Sequence, residues 1–186
     1  VFAKAFTNKF PLVPTEDEGR LNDPMIRENF IVKVFSFSRL KDLFKINFSI
    51  GKLVRFHTQQ KFLLLAHSRK YYDELGQLVA KPKSLTKEVL KEEYGKTFMK
   101  ALTFKATPKK NTDVLLHMMG FLKKVLSKGE KEDILNTIQD YRRGLFPLIV
   151  PVTLIRHQAK KHNIEYLKDQ AYLNPHPKEL MLRNHV

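Results

Sequence analysis

Hydrophobic positions recur at helical spacing through most of this chain, and they are densest in Leu53–Ser68, LVRFHTQQKFLLLAHS. On a helix turning about 100° per residue, the apolar side chains of this stretch point in nearly every direction, which marks a helix buried on most sides. A narrow polar strip interrupts it. His57 and Lys61 are four apart and Ser68 is seven beyond Lys61, so the three line up along one edge. Such a strip is either a site or a solvent-facing seam.

Taken in order, the chain opens weakly patterned. Residues 1–24, VFAKAFTNKFPLVPTEDEGRLNDP, hold three prolines and the triplet Glu16-Asp17-Glu18 followed by Gly19, and they read as an extended linker or the end of an upstream domain. The chain starts at Val1 rather than methionine, as expected of a fragment. Asp23 then suits an N-cap and Pro24 a first helical position, predicting a helix to about Phe44 with Phe30, Ile31, Val34, Phe35 and Phe37 on its apolar face. Ile46 to Ser49 reads as a short connection, with Ser49 capping the central helix. Ser68 ends that helix and opens another over 69–80, which Lys81-Pro82-Lys83 breaks.

A helix is expected from Thr86 to about Ala106, and Thr107-Pro108 reads as a second break. Thr112 to Leu126 follows, with Val114, Leu115, Met118, Phe121, Leu122 and Val125 as a wide core face and His117 at its edge. Ser127 to Arg143 is next, with Gly144 as a C-terminal cap. Pro147 and Pro151 frame a connection, Leu148-Ile149-Val150, into a helix through about His162. A short helix near 165–172 precedes Asn174-Pro175-His176-Pro177. No period-2 pattern occurs, so the expectation is an all-α compact bundle of about seven or eight helices around a central buried one, occupying 25–186 as one domain.

Charge changes this picture most. Thirty-four Lys and Arg face 19 Asp and Glu, a net of +15, which favours polyanionic partners, with nucleic acid ahead of an anionic membrane and simple solubility as the plain alternative. The excess sits in three segments, 49–82 (+4), 105–128 (+5) and 141–186 (+5), around an acidic 129–140 at −3. No apolar run approaches the ~18 residues that span a bilayer, and no signal peptide is visible, so a cytoplasmic location without membrane attachment is expected. The absence of cysteine excludes disulfides, thiol catalysis and cysteine-ligated metal within these residues.

Candidate chemistry is correspondingly sparse. His117 shares an edge with Asp113, Gly120 and Lys124. Lys109 and Lys110, beside Thr112 at a helix N-terminus, make either a phosphate site or an ordinary solvated loop. Arg142 and Arg143 end a helix, where their charge suits the dipole without any ligand. Arg156 and Lys160 share a face next to His157, and like charges so placed are best tolerated near an anion. Seven histidines come without an HExxH or paired His–carboxylate spacing, so no metal site is expected. Phosphate-loop and dinucleotide glycine motifs are missing, as is a serine nucleophile elbow. A Lys61–His57 acid–base pair is conceivable, with structural hydrogen bonding as its competitor. Tyr71, Tyr72, Tyr94, Tyr141, Tyr166 and Tyr172 are the aromatics whose exposure would favour single-stranded RNA, because bases stack on them.

Several runs in their order carry a resemblance. Arg27-Glu28-Asn29-Phe30, LVRFHTQQKFLLLAHS, KKNTDVLLHMMGFLKK, YRRGLFPLIVPVTLIRH and YLNPHPKELMLRN look like the YbgA-like bacterial domain family of unknown function, over roughly 27–184. The leading segment resembles the junction seen where this domain follows a thiouracil desulfurase-like domain in one polypeptide. That resemblance implies an accessory domain that holds RNA, in particular tRNA, for removal of sulfur from thiolated uridine. The chemistry and its iron–sulfur cluster would then lie in the upstream domain, with no cofactor in this chain. Matching motif positions are His57, Lys61, His67, Ser68, Lys110, Thr112, His117, Arg142, Arg143, Arg156 and His157, none with a role that the family assigns. Two alternatives stand beside the RNA reading: a small enzyme acting on an anionic substrate through a His/Lys site, and a basic protein-interaction module.

Overall fold

The structure, a computed structural model, describes residues 2–45, 47–81 and 85–184. The described residues form helices joined by turns, without strands, as the sequence pattern predicts. They gather into two compact units. The first comprises residues 1–58 and 67–105, and the second residues 59–66 and 106–186.

The first unit opens on α1 (Phe2–Lys9), where the sequence suggested an extended linker. Phe2, Phe6 and Phe10 recur every four residues and their rings pack in series, with centroids 6.2 and 5.1 Å apart. This local ladder supports a helix that buries no residue. After a 3₁₀ turn at Gly19–Asn22, Asp23 caps α2 (Pro24–Lys45) as expected, its Oδ1 accepting from the Met25 and Ile26 amides at 2.8 and 3.0 Å. Ser49 likewise caps α3 (Ile50–His67), accepting from the Lys52 amide. Ile46, in the predicted connection, lies outside the described residues.

Ser68 starts α4 (Arg69–Ala80) in extended geometry but makes no side-chain capping bond; its carbonyl accepts from the Tyr72 amide instead. Lys81 closes α4, whereas Pro82 and Lys83 of the predicted break fall outside the described residues. Thr86 caps α5 (Lys87–Ala101), which ends five residues before the expected Ala106. There the Thr103 hydroxyl donates to the Lys100 carbonyl and the Phe104 amide to Ala101, tightening the chain into a turn. α4 packs on α5 around Leu75, Leu90, Tyr94 and Phe98, all fully buried. Gly95 admits the Phe44 ring so closely that a Cβ would sit 3.3 Å from it.

In the second unit the predicted break at Thr107-Pro108 is a helix start. The Thr107 hydroxyl accepts from the Lys110 amide and Pro108 occupies the first turn of α6 (Pro108–Leu122), four residues ahead of the expected start. Proline's fixed φ suits that position, where its missing N–H costs nothing. α6 also ends early, at Leu122 rather than Leu126. Ser127 and Glu130 form a capping box on α7 (Lys128–Arg142), and Gly144 leaves it with φ +77°, the left-handed geometry expected of its C-cap.

α8 (Ile149–Lys161) takes in Ile149 and Val150, which the sequence placed in a connection, and holds Pro151 in its first turn. Its leading amide, Ile149, donates to the Arg183 carbonyl of the returning C-terminal segment. α9 (Glu165–Lys168) and a 3₁₀ turn at Ala171–Leu173 replace the single short helix expected over that stretch.

Polar bonds fasten this unit, a buried set around Asn111 and an exposed set around Glu130. The Asn111 amide, 4% exposed, donates to the Tyr141 hydroxyl at 3.0 Å and accepts from Tyr172 at 2.9 Å, joining α6, α7 and the 3₁₀ turn. Glu130 accepts from Lys161 of α8 at 2.7 Å and from the Ser127 amide at 2.8 Å, and this ammonium partner foremost holds its carboxyl down at about 2.

Replacing Asn111 by Ala removes both tyrosine bonds and should cost about 1–3 kcal/mol in urea unfolding, more than Tyr141→Phe, which removes one. The Glu130 contribution is complete above its ordinary value of 4.5 and is lost as pH falls through 2. Glu130→Gln should therefore flatten the stability profile between those values while changing its shape little above pH 5.

Candidate nucleic-acid interface

Of the residues singled out from sequence, His57, His67, Ser68, Tyr71, Tyr72 and Tyr94 lie in the first unit and the others in the second. Formal charge does not choose between the units. The first carries nineteen basic and eleven acidic side chains, the second fifteen and eight. Side-chain arrangement does choose.

In the second unit Phe62 is fully buried, and three rings stand edge-on to it: His117, Phe121 and Tyr166, at centroid distances of 5.2, 6.1 and 6.2 Å. Those three rings stack on one another. His117 to Phe121 is 5.8 Å with planes 24° apart, and Phe121 to Tyr166 is 4.8 Å at 25°. Phe121 is 40% exposed, His117 is exposed and Tyr166 is half-buried, so the ladder reaches the surface. The helix spacing explains the first two rungs, since His117 and Phe121 are four apart on α6; α9 supplies the third. Lys61 places its ammonium 5.5 Å from the Phe62 centroid, and Lys124, three residues past Phe121, is exposed. The arrangement brings partly exposed aromatic rings and a lysine into one cluster, the group types that bind stacked bases and their phosphates.

Phe121 and Val125 are a correction to the sequence reading. Both were assigned to the core face of this helix, yet they are 40% and 39% exposed, while Val114, Leu115, Met118 and Leu122 are buried as expected. The available signal was the four-residue spacing that sets Phe121 above His117, at the edge of that face. Tyr166 had no sequence signal beyond being an aromatic of undecided exposure.

The other candidates divide. Thr112 is 3% exposed and donates to the Pro108 carbonyl at 2.8 Å, so its hydroxyl serves the helix rather than a ligand. The N-terminus of α6 is largely self-satisfied, because Thr107 accepts from both the Lys110 and Asn111 amides. That favours the solvated-loop alternative over the phosphate site there, although Lys109 is exposed and Lys110 half-buried. Arg142 is exposed at the end of α7, and Arg143 lies 3.9 Å from Asp140 in a solvated pair. His157 and Lys160 are exposed on α8, and Arg156 is held by Asn174 and Thr153.

In the first unit His57 is 9% exposed, lies parallel to Tyr72 with centroids 5.2 Å apart, and shares a 3.2 Å hydrogen bond through Nδ1 with the Tyr94 hydroxyl. Burial drives its pKa down to about 4. A neutral, enclosed imidazole is a poor anion ligand, and the competing structural role is the one its geometry fits. His67 is similarly buried, with Nδ1 2.6 Å from the Phe104 carbonyl. Ser68 is half-buried at the start of α4. His57 belongs to the first unit and Lys61 to the second.

Residues 61–177 match the family described as "Protein of unknown function (DUF1722)", and the chain is a member of it. It is also similar to the "Uncharacterized protein YbgA" of Escherichia coli (strain K12), with 27% identity over 158 residues that span 84% of this chain and 94% of the relative. The YbgA-like resemblance drawn from the motifs is thus borne out. No solved structure gives a significant match. Among the described residues, no helix is long and apolar enough to cross a membrane.

A histidine with a folded pKa near 4 against an ordinary 6.5 favours the folded state fully above 6.5, and that advantage declines as pH falls through 4. NMR titration should show the His57 ring changing state near 4. A His57 midpoint near 6.5 would contradict the buried, neutral assignment.

Proposed function

We propose that this chain is an RNA-binding domain, and that its second unit holds single-stranded segments of tRNA for an associated thiouridine desulfidase activity. One observation carries the RNA reading: the stacked His117–Phe121–Tyr166 ladder that reaches the surface and is backed by Phe62, over whose ring the Lys61 ammonium stands at 5.5 Å. Buried aromatics would support only a core, and exposed lysines only a generic polyanion partner; their juxtaposition is what suits nucleotides. The net charge of +15 adds long-range attraction. The choice of tRNA, and of a desulfidase as the partner, rests on the sequence resemblance.

Affinity in this reading has two separable parts. Lysine and arginine contacts displace counterions from phosphates, so binding weakens steeply as salt rises. Base stacking on the ladder contributes about 1–3 kcal/mol per base and depends little on salt.

The test is tRNA binding by this chain across a salt series. Phe121→Ala and Tyr166→Ala should each weaken binding by roughly 5- to 150-fold with an unchanged salt slope. Lys124→Glu should lower both affinity and slope. Salt-independent binding, or affinity indifferent to Phe121 and Tyr166, would refute the proposal.

A further inference from the structure

The second unit contains a cleft of about 170 Å³ between one face of α8 and the C-terminal segment that returns to it. Ile149, Thr153 and Arg156, spaced by four and three residues, form the helical wall. Across from them, the Ile149 amide bond to the Arg183 carbonyl ties the returning segment to the helix start.

The charge in this cleft is one-sided. Arg156, Lys178 and Arg183 all line it, and among the described residues no Asp or Glu does. Arg183 is only 4% exposed. Its guanidinium donates to the Tyr172 carbonyl at 2.8 Å and lies 4.9 Å from the Tyr172 ring centroid, so its charge is held in place by a residue that the Asn111 amide itself fixes. Arg156 is also pre-positioned, donating to the Asn174 side-chain oxygen at 3.1 Å and to the Thr153 hydroxyl at 3.3 Å. Those bonds engage two of the five guanidinium donors. Gathering three cations in a concavity raises their mutual repulsion, which an anion would reverse. The α8 dipole adds positive potential at the same end.

We propose that this cleft binds a phosphate group. Its volume is below the roughly 300–1,000 Å³ of sites for drug-sized molecules, so it suits a phosphate with at most a small attached portion. Planar guanidinium forks match phosphate oxygens, and the Thr153 hydroxyl can donate to a third. The phosphate can belong to a small phosphorylated metabolite or to an RNA chain. The site stands on its own geometry, separate from the aromatic ladder and independent of the RNA reading.

The experiment is an amide NMR titration of the full chain with inorganic phosphate at fixed ionic strength. Saturable shifts centred on Ile149, Thr153 and Asn174 are expected, with about tenfold or greater weakening in Arg156→Gln and in Lys178→Gln. The same spectra report whether each variant is folded, and neither changed side chain is buried. Arg183 is left intact because its burial makes it part of the fold. Uridine 5′-monophosphate and an oligouridine with either a 5′-phosphate or a 5′-hydroxyl identify the source. Tighter binding of the mononucleotide, with no gain from the oligomer, assigns the site to small phosphorylated ligands. A gain confined to the oligomers assigns it to RNA. Absence of saturable shifts, or shifts indifferent to Arg156→Gln, overturns the proposal. Phosphate binding that persists while Phe121→Ala leaves tRNA affinity unchanged would sink the RNA reading alone.

Discussion

One buried amide organises the second unit. Asn111 has two hydrogen-bonding faces, and both are used, one by Tyr141 and the other by Tyr172. Inside a low-dielectric core such an amide must be satisfied, so α6, α7 and the segment after α9 are constrained to the one arrangement that brings both hydroxyls to it. Apolar packing is tolerant of small shifts, whereas these bonds are not. The constraint extends outward, because the carbonyl and ring of Tyr172 hold Arg183 and with it a wall of the basic cleft.

The same helix that carries Asn111 inward carries His117 and Phe121 outward. α6 buries Val114, Leu115, Met118, Met119 and Leu122 along a broad face and leaves a second edge for the ring ladder. That ladder is backed by Phe62, a fully buried ring that touches all three rungs edge-on. Exposed aromatic rings are ordinarily mobile; here a fixed ring behind them sets their planes. A surface prepared in this way loses less conformational freedom when a flat ligand stacks on it.

Helix starts were legible where a side chain or ring chemistry announces them. Asp23 with Pro24, Thr86 and Ser127 cap the helices expected to start there, and Gly144 ends α7 at positive φ. Two misreadings share one cause, the ambiguity of proline. Thr107-Pro108 and Pro147 to Pro151 read as interruptions, yet a proline in a first helical turn forfeits no bond, so α6 and α8 begin at or before it. α1 escaped notice because its support is a single file of phenylalanines without a buried face.

By itself the sequence determined that the described chain is helical, that Leu53–Ser68 has a core-bound helix, that the protein is strongly basic, and that it belongs with the YbgA-like domains. Periodicity, caps and charge are local or additive properties, and they survive without knowledge of neighbours. Tertiary structure alone decided what the polar strip on α3 is. His57 packs against Tyr72 and Tyr94, residues distant in sequence, and their enclosure removes its charge; Lys61 instead stands by the ring that backs the ladder. Phe121 and Tyr166 became surface rungs, and Arg156 and Arg183 the walls of one cleft, for the same reason. Exposure and juxtaposition depend on which faces other helices cover, and no spacing along one helix contains that information.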